Sequence, residues 1–270
     1  MGREPKLMVT VGRKGCGKSF TTTKMMEQYV AGNPSKGIPP RRVLILDVND
    51  EYVQYKAIRI SDVPIFSVHP IIEIRRVRPF NDNGTKMSLD QIQEALYVIL
   101  ETYKNGFLLI EDLNKFISEN FKTDLAGSIA TNRHVGLDIM IHYQSIGRIN
   151  TKVWQNVNLI RLHKFTDTVK RHKNKFEDKY EYLSIAETII NNRYDKGDKR
   201  FFVYVDIDDE KIFGAFTNKE FDDAAMQFIT INYSSLINPL LNARDENGRK
   251  IHTAQSAIAE VKKRMSFYKK

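Results

Sequence analysis

The chain of 270 residues is long enough for one large α/β domain, or one domain with an appendage, which excludes two unrelated full-sized folds. Its composition, 41% hydrophobic and 28% charged, excludes intrinsic disorder, and its single cysteine, Cys16, excludes an intramolecular disulfide. A net charge of +9, from 42 basic and 33 acidic residues, favours a polyanionic partner such as nucleic acid or an anionic surface.

Taken from the N-terminus, MGREPKLMVTVG lacks the apolar stretch of a signal peptide. No later segment reaches the ~18 uninterrupted apolar residues of a membrane span, so a cytoplasmic protein without a membrane partner is expected. Short β-rich runs then alternate with helical segments, the pattern of a mostly parallel sheet covered on both faces. Strands are expected at 7–11, 43–46, 107–110, 138–142 and 157–162, and helices at 18–30, 88–103, 122–133, 166–175 and 181–192. Ser88 and Gln91 have the spacing of a capping box. Residues 201–205 and 212–216 flank 206–211 as an antiparallel hairpin at the sheet edge. The core is expected to span 1–217, followed by a helical basic extension over 218–270. From residue 241 onward eight basic residues face three acidic ones, a net of +5, so more than half of the chain's charge sits in its last thirty residues.

The strongest chemical signal is Gly12-Arg13-Lys14-Gly15-Cys16-Gly17-Lys18-Ser19, a complete G-x-x-x-x-G-K-S directly after an apolar strand and opening a helix. Its glycines let backbone N–H groups curl around phosphates, Lys18 reaches the β- and γ-phosphates, and Ser19 supplies a Mg²⁺ ligand. The loop and the next residue, Phe20, are therefore expected to hold ATP. Cys16 lies beside Lys14 and Lys18 just before a helix N-terminus, so its thiolate is expected to be favoured and reachable by solvent. Hydrolysis also needs a carboxylate on the metal and a group that orients the attacking water. Phe107-Leu108-Leu109-Ile110-Glu111-Asp112 supplies two acids at the end of a buried strand. Position by position, Glu111 falls on the metal and Asp112 on the water; the reverse assignment is also open. Gln144, closing the strand Ile141-His142-Tyr143, is expected to touch the γ-phosphate if that strand lies between those of the phosphate loop and the acids. No lid-like arginine cluster follows the core helices, which argues against a small-molecule kinase.

The phosphate loop, the second strand running into Asp47-Val48-Asn49-Asp50-Glu51-Tyr52, the acid pair, and Arg133-His134-Val135-Gly136-Leu137-Asp138 leading to Tyr143-Gln144-Ser145 together resemble the FtsK-HerA superfamily of DNA-pumping ATPases. The resemblance covers roughly residues 7–216, with two departures. Asp50 stands where the family commonly has Gly, and Glu111-Asp112 inverts the usual order of the acid pair. The resemblance implies an additional-strand P-loop NTPase with sheet order 5-1-4-3-2. It further implies a homo-oligomeric ring, pentameric or hexameric, that acts on double-stranded DNA, with an arginine from the neighbouring subunit completing each ATP site. Arg133 and Arg148 are candidates for that arginine, with Arg161 third. Because the first strand begins within ten residues of the start, leaving no room for an N-terminal barrel or anchor, the chain looks most like the genome-packaging ATPases of bacterial viruses, with a portal or capsid protein as a further partner. Conjugation or repair ATPases of the same superfamily, and a P-loop module that uses ATP as a switch, are the alternatives.

Overall fold

Nine strands among the described residues form one sheet, in the order β3-β4-β2-β5-β6-β1-β7-β8-β9. The structure is a computed structural model and describes residues 4–113, 127–129 and 135–270. The strands are β1 (Leu7–Val11), β2 (Val43–Leu46), β3 (Lys56–Ala57), β4 (Ile74–Val77), β5 (Phe107–Ile110), β6 (Asp138–Tyr143), β7 (Leu159–His163), β8 (Phe202–Asp206) and β9 (Lys211–Gly214). From β3 to β7 all pairs are parallel, and β8 and β9 continue antiparallel. The five strands legible as apolar runs occupy the order expected, β7-β1-β6-β5-β2, with the hairpin at the β7 edge.

Those runs are continuous because parallel strands are buried on both faces. Val43-Leu44-Ile45-Leu46 and Phe107-Leu108-Leu109-Ile110 are buried at every position. Alternation along each strand then sorts side chains into two cores. Met8, Val43, Ile45, Phe107, Leu109 and Met140 pack on one face with Met26 of α1 (Lys18–Ala31). Val9, Leu44, Leu46, Leu108, Ile110 and Ile141 fill the other. Helices α2 (Leu89–Thr102) and α3 (Tyr180–Asp195) contribute Leu96, Ile99, Leu183 and Ile189 to that second core.

Ser88 and Gln91 close the capping box on α2: the Ser88 hydroxyl accepts from Gln91 N at 3.2 Å, and Gln91 Oε1 accepts from Ser88 N at 2.8 Å. Of the segment expected to be helical over 122–133, only 127–129 is described, and it is helical. The helix expected over 166–175 is instead a 3-10 turn, Val169–His172, running into a short helix, Lys173–Phe176. The break has a local cause, since Thr168 caps the turn by accepting from Arg171 N at 3.3 Å.

Beyond the hairpin lie α4 (Asn218–Ile231) and α5 (Ala254–Met265). Their residues Phe221, Ala225, Phe228, Val261 and Met265 join the same core as α3. Lys262 and Arg264 pair with Asp222 at 3.1 Å and Glu181 at 2.7 Å. Among the described residues no helix is long and apolar enough to cross a membrane.

Candidate active site

The phosphate loop hangs from the ends of three adjacent strands. Gly12 N donates to Tyr143 O at 3.0 Å and Arg13 N to Lys164 O at 2.8 Å, tying the loop to the exits of β6 and β7. At Gly12 a Cβ would lie 2.6 Å from Cys16 Sγ and 2.7 Å from His163 Cβ, so no side chain fits. Gly17 adopts φ 90° at the N-cap of α1, a left-handed conformation that glycine takes at little cost. The N–H groups at the start of α1 are thereby presented to an anion. Lys18 Nζ lies across the loop on the carbonyl oxygens of Gly12 and Arg13.

Beside the loop is a cleft of about 570 Å³. Lys14, Gly15, Gly17, Lys18, Ser19 and Phe20 line one side of it, and Glu111, Asp112 and Gln144 come from the ends of β5 and β6. Asn49, Glu51 and Arg200 complete the lining. A larger groove of about 830 Å³ beside β3 and β4 contains no phosphate-loop residue.

The two acids diverge. Glu111 is only 4% exposed, and its Oε1 accepts from Tyr52 Oη at 2.5 Å and lies 2.9 Å from His142 Nδ1. His142 Nε2 is 2.9 Å from Thr22 Oγ1, which also receives a hydrogen bond from the Arg161 guanidinium. A buried polar chain thus runs from β7 beneath α1 to the acid just past the end of β5. Burial alone would raise the Glu111 pKa, but neighbouring His142, the Tyr52 hydroxyl and the charge of Lys18 bring it down to about 2. Asp112 instead turns to the mouth of the cleft at φ 45°. Its Oδ2 accepts from Asn49 Nδ2 at 3.3 Å, and Gln144 Nε2 lies 3.4 Å from both of its oxygens.

The segment after β2 is shaped by Asp47, whose carboxylate accepts from Glu51 N at 2.9 Å, Tyr52 N at 3.0 Å and Arg76 Nη1 at 2.9 Å. Asp50 adopts φ 56°, the left-handed region that suits a glycine at the position where the family commonly has one. Its carboxylate receives Arg76 and Arg78, contacts that a glycine could not make.

Three expectations change. Cys16 is 2% exposed, and burial pushes its thiol up, outweighing the lowering by Lys18. The thiolate is disfavoured, because the side chain turns into the protein towards Gly12 and His163. Arg161 is 1% exposed, so it cannot reach another subunit. Arg13 leaves the cleft to pair with Tyr194, its guanidinium 4.8 Å from the ring centroid. Arg148 is exposed in the turn after Gln144 and does not line the cleft, while Arg133 lies outside the described residues.

Sequence reading had not placed Arg200, Thr22 or His142 in the site. Arg200 packs on Gly17 from a loop far downstream, and its guanidinium lies 5.7 Å from the Phe20 ring centroid. It belongs to no local motif that could have marked it. Thr22 is one helical turn beyond Lys18, and His142 stands two residues before Gln144; those spacings were the available signals.

Residues 10–200 match the family model of the HerA helicase central domain. Among solved structures, the genome packaging NTPase B204 of Sulfolobus turreted icosahedral virus 2 in complex with AMP covers 80% of this chain and 99% of its own, at 18% identity and TM-score 0.54. The same NTPase with ATP-gammaS covers 78% and 97%, at 17% identity and TM-score 0.52. At these identities the likeness concerns the fold. A comparison with curated proteins gave no match. With the family model spanning most of the sheet and every described residue of the acid, sensor and phosphate-loop set, the chain belongs to the HerA helicase central-domain family and is a P-loop ATPase of the FtsK-HerA superfamily.

Proposed function

We propose that this ATPase is the subunit of a ring, pentameric or hexameric, that couples hydrolysis of ATP to ADP and phosphate with movement of double-stranded DNA in packaging a viral genome. The observation that carries the chemistry is the single cleft that collects Lys18, Ser19, Glu111, Asp112 and Gln144. The packaging role draws support from the fold shared with the B204 NTPase, and a portal or capsid protein is the docking partner this role implies.

Within the cleft, Lys18 neutralises the β- and γ-phosphate oxygens and the N–H groups of the loop hold the rest of the chain of phosphates. Asp112, at the mouth beside Gln144, orients and deprotonates the attacking water, and the Gln144 amide contacts the terminal phosphate. Ser19 and Glu111 suit Mg²⁺, a hard cation that takes oxygen ligands and shares them with nucleotide phosphates. The fit rests on Glu111 being held ionised with both of its strong contacts on Oε1, which would leave Oε2 for a metal. When bound, Mg²⁺ supplies charge neutralisation at the phosphates.

A neighbouring subunit would add a cation to stabilise the charge of the transition state. Arg148, exposed four residues beyond Gln144, is one candidate for that role, and Arg133 is the other. Binding to DNA would rest on phosphate neutralisation by the basic surface, and hence be independent of sequence.

The test is displacement of a third strand from a triplex on linear duplex DNA. ATP-dependent displacement, absent with a non-hydrolysable analogue, is expected. Hydrolysis without displacement or DNA stimulation would point instead to an ATP-driven switch.

A further inference from the structure

The turn that follows Gln144 is held by a carboxylate from a different part of the chain. Asp167 accepts from Ser145 Oγ at 2.6 Å, from Ile146 N at 3.1 Å and from Gly147 N at 2.8 Å. His172 Nε2 lies 2.9 Å from Asp167 Oδ2, the oxygen that also takes Ser145 and Gly147. At Gly147 a Cβ would come within 2.2 Å of that imidazole nitrogen and 2.9 Å of Asp167 Oδ2, so glycine is what lets this bracket close on the turn. Lys175 Nζ holds the carbonyl oxygens of the same stretch, Gly147 O at 3.0 Å and Ile149 O.

The bracket is itself fixed. Val169 is fully buried, and its N–H donates to Glu187 Oε2 of α3 at 3.0 Å. Ile146 and Ile149 are buried on the turn's inner side, with Arg148 exposed between them.

Two neighbouring backbone N–H groups and a hydroxyl that converge on one place need an acceptor there, since partly buried donors without a partner cost free energy, and an anion answers all three at once. Asp167 is that anion. We propose that Asp167 is a positioning residue for ATP turnover, holding the turn of residues 145–147 so that the Gln144 amide stays at Asp112. The inference rests on the reading of Gln144 as the group that contacts the terminal phosphate. It goes beyond that reading by assigning the sensor's alignment to the segment after β7. Without the carboxylate, the turn loses three of its donors' partners at once, and the side chain at its head loses its fixed base 3.4 Å from Asp112.

The test is a double-mutant cycle on ATP hydrolysis with Gln144→Ala, Asp167→Ala, Asp167→Asn and the double variants, in the full chain. Asp167→Ala is expected to lower kcat by about 10- to 100-fold, the usual loss when a group that orients a catalytic side chain is removed. KM for ATP should stay within about twofold, because the phosphate loop is untouched. Asp167→Asn keeps one carbonyl acceptor and should recover part of the loss. In combination with Gln144→Ala, either change should cost nothing further, since both act through the same amide. Losses that multiply in the double variant, or full turnover in Asp167→Ala while Gln144→Ala is slow, overturn the proposal alone. Wild-type turnover in Gln144→Ala overturns the reading of the site and the proposal with it. Should Asp167→Ala not fold, as judged by thermal melting, the Asn variant carries the same cycle.

Discussion

Gln144 Nε2 stands 3.4 Å from each carboxylate oxygen of Asp112, joining the exits of the neighbouring strands β6 and β5 across the mouth of the cleft. Asp112→Asn should therefore bind Mg-ATP with near-normal affinity while turnover falls by about 10²- to 10⁴-fold, the usual contribution of general acid–base catalysis. Equilibrium binding of a fluorescent ATP analogue, paired with phosphate release, checks both halves. Weakened metal dependence in Asp112→Asn, with turnover lost but Mg-ATP binding kept in Glu111→Gln, would show that the inverted acids have exchanged roles, and normal turnover in Asp112→Asn would remove it from the chemistry.

Glu111 makes a different prediction. Its carboxyl is lowered from the ordinary 4.5 to about 2 by His142, Tyr52 and Lys18 acting against burial. A group with a depressed folded pKa contributes stability above its unfolded pKa, and that contribution is lost as pH falls through the folded value. Stability should thus decline between pH 4.5 and about 2, by on the order of 3 kcal/mol from this group. Urea melts as a function of pH should show that Glu111→Gln lacks this part of the decline. The same variant should need more Mg²⁺ to reach half-maximal turnover. An identical acid profile in both proteins would contradict the buried pairing.

Arg200 is placed to touch bound nucleotide from within the same chain, lining the cleft over Gly17 and Phe20. Arg200→Ala should raise KM for ATP by about tenfold, the ~1.4 kcal/mol of one charge-assisted hydrogen bond. Steady-state kinetics decide it, and an unchanged KM would remove the residue from the site.

The buried thiol of Cys16 should react slowly with a maleimide near neutral pH, because burial disfavours its thiolate, and should become reactive on unfolding. Mass spectrometry of timed samples measures this directly. Cys16→Ala should remain active, and rapid labelling of the native protein would contradict the inward placement of the side chain.

Much of this architecture was legible because burial on both faces leaves uninterrupted runs such as Val43-Leu44-Ile45-Leu46. Strand β4 was hidden by Arg75 and Arg76 at its centre, whose charges are answered by Glu73 at 2.6 Å and Asp47 at 2.9 Å. The segment after β7 has apolar residues at helical spacing, yet Asp167 and Thr168 are drawn into turns, which no local pattern announces. At the site, the phosphate loop and the acid pair could be read since each is contiguous in sequence. Thr22, His142 and Arg161 meet only where α1 packs on the sheet, so their connection needed three-dimensional structure. The basic C-terminal run pointed to a polyanion, but two of its cations pair with Asp222 and Glu181 of the chain itself.

Single-turnover hydrolysis of labelled ATP, with and without duplex DNA, in wild type and Lys18→Ala, is the most direct measurement of the central claim. Wild type should hydrolyse ATP and do so faster with DNA, while Lys18→Ala should fall at least about 10²-fold, as when one preorganised charge-stabilising donor is lost. Hydrolysis by Lys18→Ala at more than roughly a tenth of the wild-type rate, a barrier change under ~1.4 kcal/mol, would contradict the assignment of this cleft as the site of phosphate transfer.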